Sequence, residues 1–361
     1  MYVKEAQTIP VQLIKGRGAV SNPEGRFERL NRDPYDDGWA VEEEIPPLKT
    51  TVRLEQCRTI IAHNDSPDIP FDQSINPYRG CEHGCVYCFA RPSHAYVGLS
   101  AGLDFETRLF AKTNAAERLR AELARPGYEC HTLALGTNTD PYQPIERRYR
   151  IMRQIVEVLA ECEHPLFIVT KSALIERDLD LLAPMARKGL VHAFVSITTL
   201  DRTLVRRLEP RAAAPARRLE ILRRLAAAGI PVGVMIAPVI PALNDKDIEN
   251  ILEQARAAGA RWAGYVLLRL PHEVKDLFRE WLARHEPLRA EHVMSLVQGA
   301  RGGRDNDPRF GARMRGTGVV ADLIENRFAV ACRRLGFNQD ECSLDHARFR
   351  PPAISPQLAL F

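Results

Sequence analysis

The stretch LFIVTKSALIERDLDLLAPMARKGLVHAFVSITT, residues 166–199, reads as a strand, a helix and a second strand. LFIVTK (166–171) and HAFVSITT (192–199) are short runs rich in β-branched and aromatic residues, and RDLDLLAPMARKG (177–189) carries helical spacing between them. Two buried strands joined through a helix pair in parallel, with a right-handed crossover. The alternation continues on both sides. Further strands are predicted at SINPYRG (74–80), HTLALG (131–136), PVGVMIAPV (231–239) and GYVLLRL (264–270). The intervening helical patterns are NAAERLRAELAR, ERRYRIMRQIVEVLAE, ARRLEILRRLAAAG and DKDIENILEQARAAG, the last two ending on Gly229 and Gly259 as C′ glycines. Six units of roughly 35 residues match the repeat of a (β/α) barrel, and an open doubly wound sheet fits the same alternation. Periodicity alone does not separate them.

Three regions follow from texture. Residues 1–65, with the basic KGRGAVSNPEGRF and the acidic DPYDDGWAVEEEIPP, keep no period and read as an irregular N-terminal arm on the core. Residues 66–275 form the α/β core. Residues 276–361 read as a helical C-terminal extension, with helices around DLFREWLARH and VVADLIENRFAVACRRLG, an Arg/Gly loop between them and a Pro-rich end. Hydrophobic residues make up 45% and charged residues 27% of 361, the profile of an ordinary globular chain, and a net charge of +4 confines any nucleic-acid surface to a local patch. The N-terminus lacks a signal-peptide h-region, and the longest apolar run, IPVGVMIAPVI (230–240), is too short to span a bilayer. A cytoplasmic location without membrane contact is expected. There the 8 cysteines point to metal or redox chemistry rather than disulfides. Cys57, Cys130, Cys162, Cys332 and Cys342 are scattered and read as buried small apolar residues.

The remaining three stand together in NPYRGCEHGCVYCFARPSHAYVG (76–98) as Cys81, Cys85 and Cys88. A C-x3-C-x2-C loop can wrap one face of a cube-shaped iron–sulfur cluster with one sulfur per iron, and Gly80 and Gly84 let the backbone curl. The loop follows a predicted strand at its C-terminal end, where barrel and open-sheet sites sit. Zinc is the rival, with His83 or His94 as fourth ligand, although structural zinc favours a second C-x2-C pair that this chain lacks. Three unrelated core cysteines are the third reading, against which CEHGC is too polar. With a cluster, three ligands leave one iron open.

Cys81, Cys85, Tyr87 and Cys88 resemble the signature of the radical S-adenosylmethionine (SAM) superfamily, in which an aromatic residue precedes the last cysteine. The resemblance implies a partial (β/α)6 barrel of TIM type. It also implies a [4Fe–4S] cluster whose open iron takes the amino and carboxylate groups of SAM. In that family an electron from the cluster cleaves SAM to methionine and a 5′-deoxyadenosyl radical, which abstracts hydrogen from substrate. A low-potential electron donor is then a required partner. Within the superfamily, GTNTDPYQPIE (136–146), TKS (170–172) and VSITTLD (195–201) are similar to the spore photoproduct lyase-like group, over roughly residues 66–275. That lyase carries a hydrogen-donating cysteine near the end of its second strand, where this chain has Leu135-Gly136-Thr137.

Other residues bear on a cofactor pocket. Thr137, Asn138, Thr139 and Asp140 end a strand with hydroxyl, amide and carboxylate groups suited to an ammonium or ribose, or form a polar turn at Asp140-Pro141. Lys171 closes an apolar strand, so its charge emerges at the C-terminal end; the family places a lysine there against the SAM carboxylate, and a snorkelling lysine is the alternative. Ser196 reaches the same ligand or bonds to backbone. Ala237-Pro238 leaves room for an adenine or ends its strand. Arg301, Arg304, Arg309, Arg313 and Arg315, against Asp305 and Asp307, could hold phosphates, or form a solvated loop or an internal salt-bridge network. The reading is a radical SAM enzyme of unknown substrate, with no catalytic side chain assigned. A nucleic-acid-modifying or lesion-repair lyase and a non-catalytic metal-bearing nucleic-acid module are the alternatives.

Overall fold

A computed structural model describes residues 14–28 and 48–352. The acidic stretch 33–47, Trp39 and residues 353–361 lie outside the described residues. Six strands form the core: β1 (Gln73–Ile75), β2 (Leu133–Leu135), β3 (Leu166–Thr170), β4 (Val191–Ser196), β5 (Val232–Val239) and β6 (Trp262–Leu267). All five neighbouring pairs are parallel, and the strands lie side by side in chain order from β1 to β6. That order removes the ambiguity left by periodicity. A doubly wound sheet reverses its order at a switch point, whereas sequential order with right-handed crossovers puts every helix on one face and curls the sheet. The result is a partial (β/α)6 barrel; β6 and β1 are not hydrogen-bonded to each other.

The strands read as apolar runs because both faces are covered. Leu133, Leu135, Ile168, Val191, Val195, Val234 and Ile236 are all fully buried. The connecting helices are α1 (Ala115–Leu123), α2 (Ile151–Glu161), α3 (Leu179–Arg187), α4 (Pro215–Ala227) and α5 (Ile248–Ala257). Each buries a stripe at helical spacing, as α2 does with Ile151, Ile155, Val158 and Leu159. Gly229 and Gly259 follow α4 and α5 at φ 78° and 99°, as C′ glycines do.

Two sequence expectations are corrected. ERRYRIMRQIVEVLAE is not one helix: Arg150 sits at φ 53° and splits Glu146–Tyr149 from α2. The buried Glu146 carboxylate accepts from Met152 N (3.0 Å) and Arg153 N (3.3 Å), supplying partners to the first turn of α2. The N-terminal arm is also not irregular throughout. Ile61–His63 pairs antiparallel outside β1, and Thr51–Glu55 pairs parallel with Arg108–Lys112, which pairs antiparallel with Tyr78–Arg79. Thr51–Glu55 is largely exposed, so it carries no alternation for a sequence pattern to reveal. The C-terminal extension is helical as expected, with α6 (Val274–His285), α7 (Ala290–Gly299) and α8 (Val319–Leu335). Among the described residues no helix is long and apolar enough to cross a membrane.

Candidate iron–sulfur and cofactor site

Beyond β1 the chain makes the short strand Tyr78–Arg79 and turns through Gly80 and Gly84, at φ 74° and 68°. Cys81, Cys85 and Cys88 lie on this turn at the C-terminal edge of the sheet, all with free thiols. Burial raises all three thiols, Cys85 to about 12; the charges of Glu209 and Cys88 add to the rise at Cys85, and those of Asp140 and Cys85 to the rise at Cys81. Backbone N–H groups favour the thiolates: those of His83 and Asp140 act on Cys81, and those of Ala90 and Arg91 on Cys88.

The loop is fixed from behind by a buried ion pair. Arg91 Nη2 meets Glu106 Oε1 at 2.5 Å, and both side chains are fully buried. The same guanidinium donates to Cys85 O (2.8 Å), Ala101 O (3.0 Å) and Gly102 O (2.9 Å). Glu106 also accepts from Gly18 N (2.9 Å) and Ala19 N (2.8 Å), so the basic arm segment is tied to the cysteine loop. A Cβ on Gly18 would lie 1.7 Å from Gly84 O, so only glycine permits this approach.

On the barrel side a second buried pair meets the loop. Glu209, which follows the short helix Arg202–Leu208, accepts from Tyr87 Oη, from Arg218 and from Thr198 Oγ1 (2.5 Å). Burial would raise this carboxyl, but Arg218, Lys171, Thr198 and Tyr87 together hold it down to about 2. Arg218 Nη1 donates to Ser196 O at 3.0 Å, connecting the pair to the end of β4. Thr198 Oγ1 also lies 3.4 Å from Ala237 O, at the end of β5.

The residues singled out from sequence fall into two groups. Tyr87 and Lys171 meet at the loop, while Ser196 and Ala237 connect to it through their backbone carbonyls, which accept from Arg218 and Thr198 of the Glu209 network. Lys171 Nζ stands 5.9 Å from the Tyr87 ring centroid, and its charge lowers both Cys85 and Glu209. Thr137 is half-buried and Asn138 exposed on the rim, with Asn138 N donating to Asn76 Oδ1 at 3.2 Å. Thr139 and Asp140 are engaged within the protein. Thr139 Oγ1 donates to Tyr78 O (3.1 Å), and Asp140 accepts from Thr170 Oγ1 (2.8 Å), Lys171 N (2.7 Å) and Tyr142 N (2.9 Å). Asp140 Oδ2 is also 3.4 Å from His83 Nδ1, and these contacts hold the Asp140 carboxyl low against the burial that would raise it.

The donor set fits a cluster better than zinc. His83 Nδ1 faces Asp140 and His94 Nε2 lies 3.0 Å from Arg108 O, so each candidate fourth ligand has one ring nitrogen engaged away from the cysteines. Among the described residues no three His, Cys, Asp or Glu side chains converge on one ion. Three thiols on one loop, Cys81 buried and Cys85 and Cys88 half-buried, each able to serve a separate iron, suit a larger body.

A family model described as the Radical SAM superfamily matches residues 75–255. The chain belongs to the radical SAM superfamily. An uncharacterized protein of Mycobacterium tuberculosis (strain H37Rv) is 40% identical over 271 residues, covering 72% of this chain and 80% of that one. A radical SAM Nalpha-GlyT isomerase of Pseudomonas phage M6 is 27% identical over 197 residues, covering 52% of this chain and 38% of that one. A spore photoproduct lyase variant with bound AdoMet and dinucleoside spore photoproduct superposes with a TM-score of 0.58 at 15% identity, covering 79% and 80% of the two chains. At that identity the superposition speaks for the fold.

The protein is therefore a radical SAM enzyme, and the reading as a non-catalytic metal-bearing module is set aside. The cofactors of the superfamily are a [4Fe–4S] cluster and SAM. The Arg/Gly loop differs from a phosphate-holding strip. Arg301 is buried and donates to Leu267 O (3.0 Å), Leu268 O (2.7 Å), Ala312 O (2.8 Å) and Arg313 O (2.9 Å). Arg309 pairs with Asp307 (2.6 Å), and Arg313 with Asp68.

Sequence reading missed Glu209, Arg218, Arg91 and Glu106. One signal was available: Arg218 lies on the apolar stripe of α4 with Leu222 and Leu225, a cation where the spacing demands an apolar residue.

Proposed function

We propose that Cys81, Cys85 and Cys88 ligate one [4Fe–4S] cluster and that SAM binds beside it against Lys171, Ser196 and Ala237. Thr137 and Asn138 line its rim. When bound, these cofactors supply reductive cleavage of SAM and a 5′-deoxyadenosyl radical that takes hydrogen from the substrate. The observation that carries this reading is that Cys81, Cys85 and Cys88 share one loop at the C-terminal ends of the strands, with Lys171 Nζ over the Tyr87 ring and its charge acting on Cys85 and Cys88. Lys171 meets the SAM carboxylate, as its family counterpart does. Asp140 and Glu209 have a positioning role. Asp140 joins the ends of β2 and β3 to His83 of the cysteine loop, and Glu209 joins Tyr87 to α4 through Arg218. An external low-potential donor delivers the electron. No cysteine stands at Leu135-Gly136-Thr137, so hydrogen return to a substrate radical by the lyase route is not proposed.

Lys171→Met tests the SAM pocket. A lost charge-assisted hydrogen bond weakens binding by about tenfold or more. Iron and sulfide should stay at wild-type levels while the SAM dissociation constant, read by equilibrium dialysis, rises. An unchanged constant would remove Lys171 from the pocket.

A further inference from the structure

Arg269, two residues past β6, is a cation without a counter-charge of its own among the described residues. Among the described residues it makes no ion pair. Its Nη1 reaches only Met314 Sδ at 3.6 Å, and its Nε is buried with no hydrogen-bond partner. Its guanidinium carbon stands 5.2 Å from the ring centroid of Phe89, the residue after Cys88. Phe89 is 45% exposed, so the stacked pair sits at the mouth of the barrel beside the cysteine loop.

The location is the seam where the sheet does not close. Asp68, just ahead of β1, binds Gly311 N at 2.6 Å and pairs with Arg313, beyond β6. Arg269 lies within electrostatic reach of both Asp68 and Arg313. Asp68 is already committed to Arg313, so among the described residues the charge of Arg269 is unmatched at the seam. A guanidinium does not escape burial by losing its proton, as a lysine can. A cation half-withdrawn from water without a partner is unfavourable unless a ligand completes it.

We propose that Arg269, stacked on Phe89, binds one anionic oxygen group of the substrate, a phosphate or a carboxylate, at this seam. Its planar fork matches either group, and the ring fixes the plane. A polyanion is less well served, because the two arginines within electrostatic reach are already engaged: Arg313 with Asp68, and Arg301 with four backbone carbonyls. This proposal rests on the site assigned above, since it makes the mouth beside Phe89 the substrate entrance.

The test is phenylglyoxal modification of the cluster-loaded protein with SAM present, followed residue by residue by peptide mass spectrometry. Inorganic phosphate, acetate and an octathymidylate are compared with chloride at equal ionic strength. The expected result is a saturable, several-fold slowing of modification at Arg269 by phosphate or acetate, with no such effect at the exposed Arg304. The more protective anion identifies the group. Arg269 rates that follow ionic strength alone would overturn the proposal, as would protection by the oligonucleotide without protection by either small anion. Iron content and the SAM-induced spectral change are read on the same samples, so a failure of the cofactor assignment shows itself separately.

Discussion

Replacing Cys81, Cys85 or Cys88 singly with Ala is expected to remove most of the iron and sulfide, the brown chromophore and all measurable SAM cleavage. The three thiols sit on one loop whose glycine turns and backbone N–H groups are arranged around them. Loss of groups that merely support a metal ligand costs about 10–100-fold in affinity, and loss of a ligand itself should exceed that. The five other cysteines are separate: Cys57, for instance, is buried with its thiol 3.3 Å from Asn114 Oδ1. Alanine at any of those five should leave iron content unchanged. Full iron and sulfide in all three loop variants would overturn the ligand assignment.

Arg91→Met is expected to lower stability by roughly 3–5 kcal/mol, because it strands the fully buried carboxylate of Glu106. For a chain of this length the typical unfolding entropy turns that into a fall in Tm of about 4–7 °C. The substitution also removes the donor to Cys85 O and the pair that anchors Gly18 and Ala19 through Glu106. Cluster retention should suffer with stability, and limited proteolysis should release the arm. Arg91→Met combined with Glu106→Gln should recover part of the loss, since the second change removes the stranded charge. Calorimetry and iron analysis of the single and double variants check this. An unaltered Tm and iron content in Arg91→Met would show that the pair does not hold the loop.

Much of the fold is legible in the sequence where one physical rule acts alone. Strands buried on both faces, such as LFIVTK and PVGVMIAPV, have to be apolar and β-branched, and each lies within two residues of its expected position. The cysteine loop is legible because ligand chemistry constrains residue type and spacing together. The buried pairs are another matter. Arg218 and Glu209 are nine residues apart in an arginine-rich stretch, and only the packing of α4 under β4 selects that arginine from its neighbours. Asp140 shows the reverse case. Its chemistry suits a ligand, yet bonds to Thr170, Lys171 and Tyr142 occupy it. Strand Thr51–Glu55 gave no pattern because its partner, Arg108–Lys112, lies more than fifty residues away and its own faces are mostly in water.

The central claim is that the cluster on Cys81, Cys85 and Cys88 keeps one iron free of protein thiolate, and that SAM occupies it. Electron paramagnetic resonance of the anaerobically reconstituted, reduced protein, with and without SAM, tests this most directly. A ligand bound to the iron changes its electronic structure, so SAM should shift the signal of the reduced cluster, and the shift should require more SAM in Lys171→Met. A four-iron protein whose signal is identical with and without saturating SAM would contradict the account.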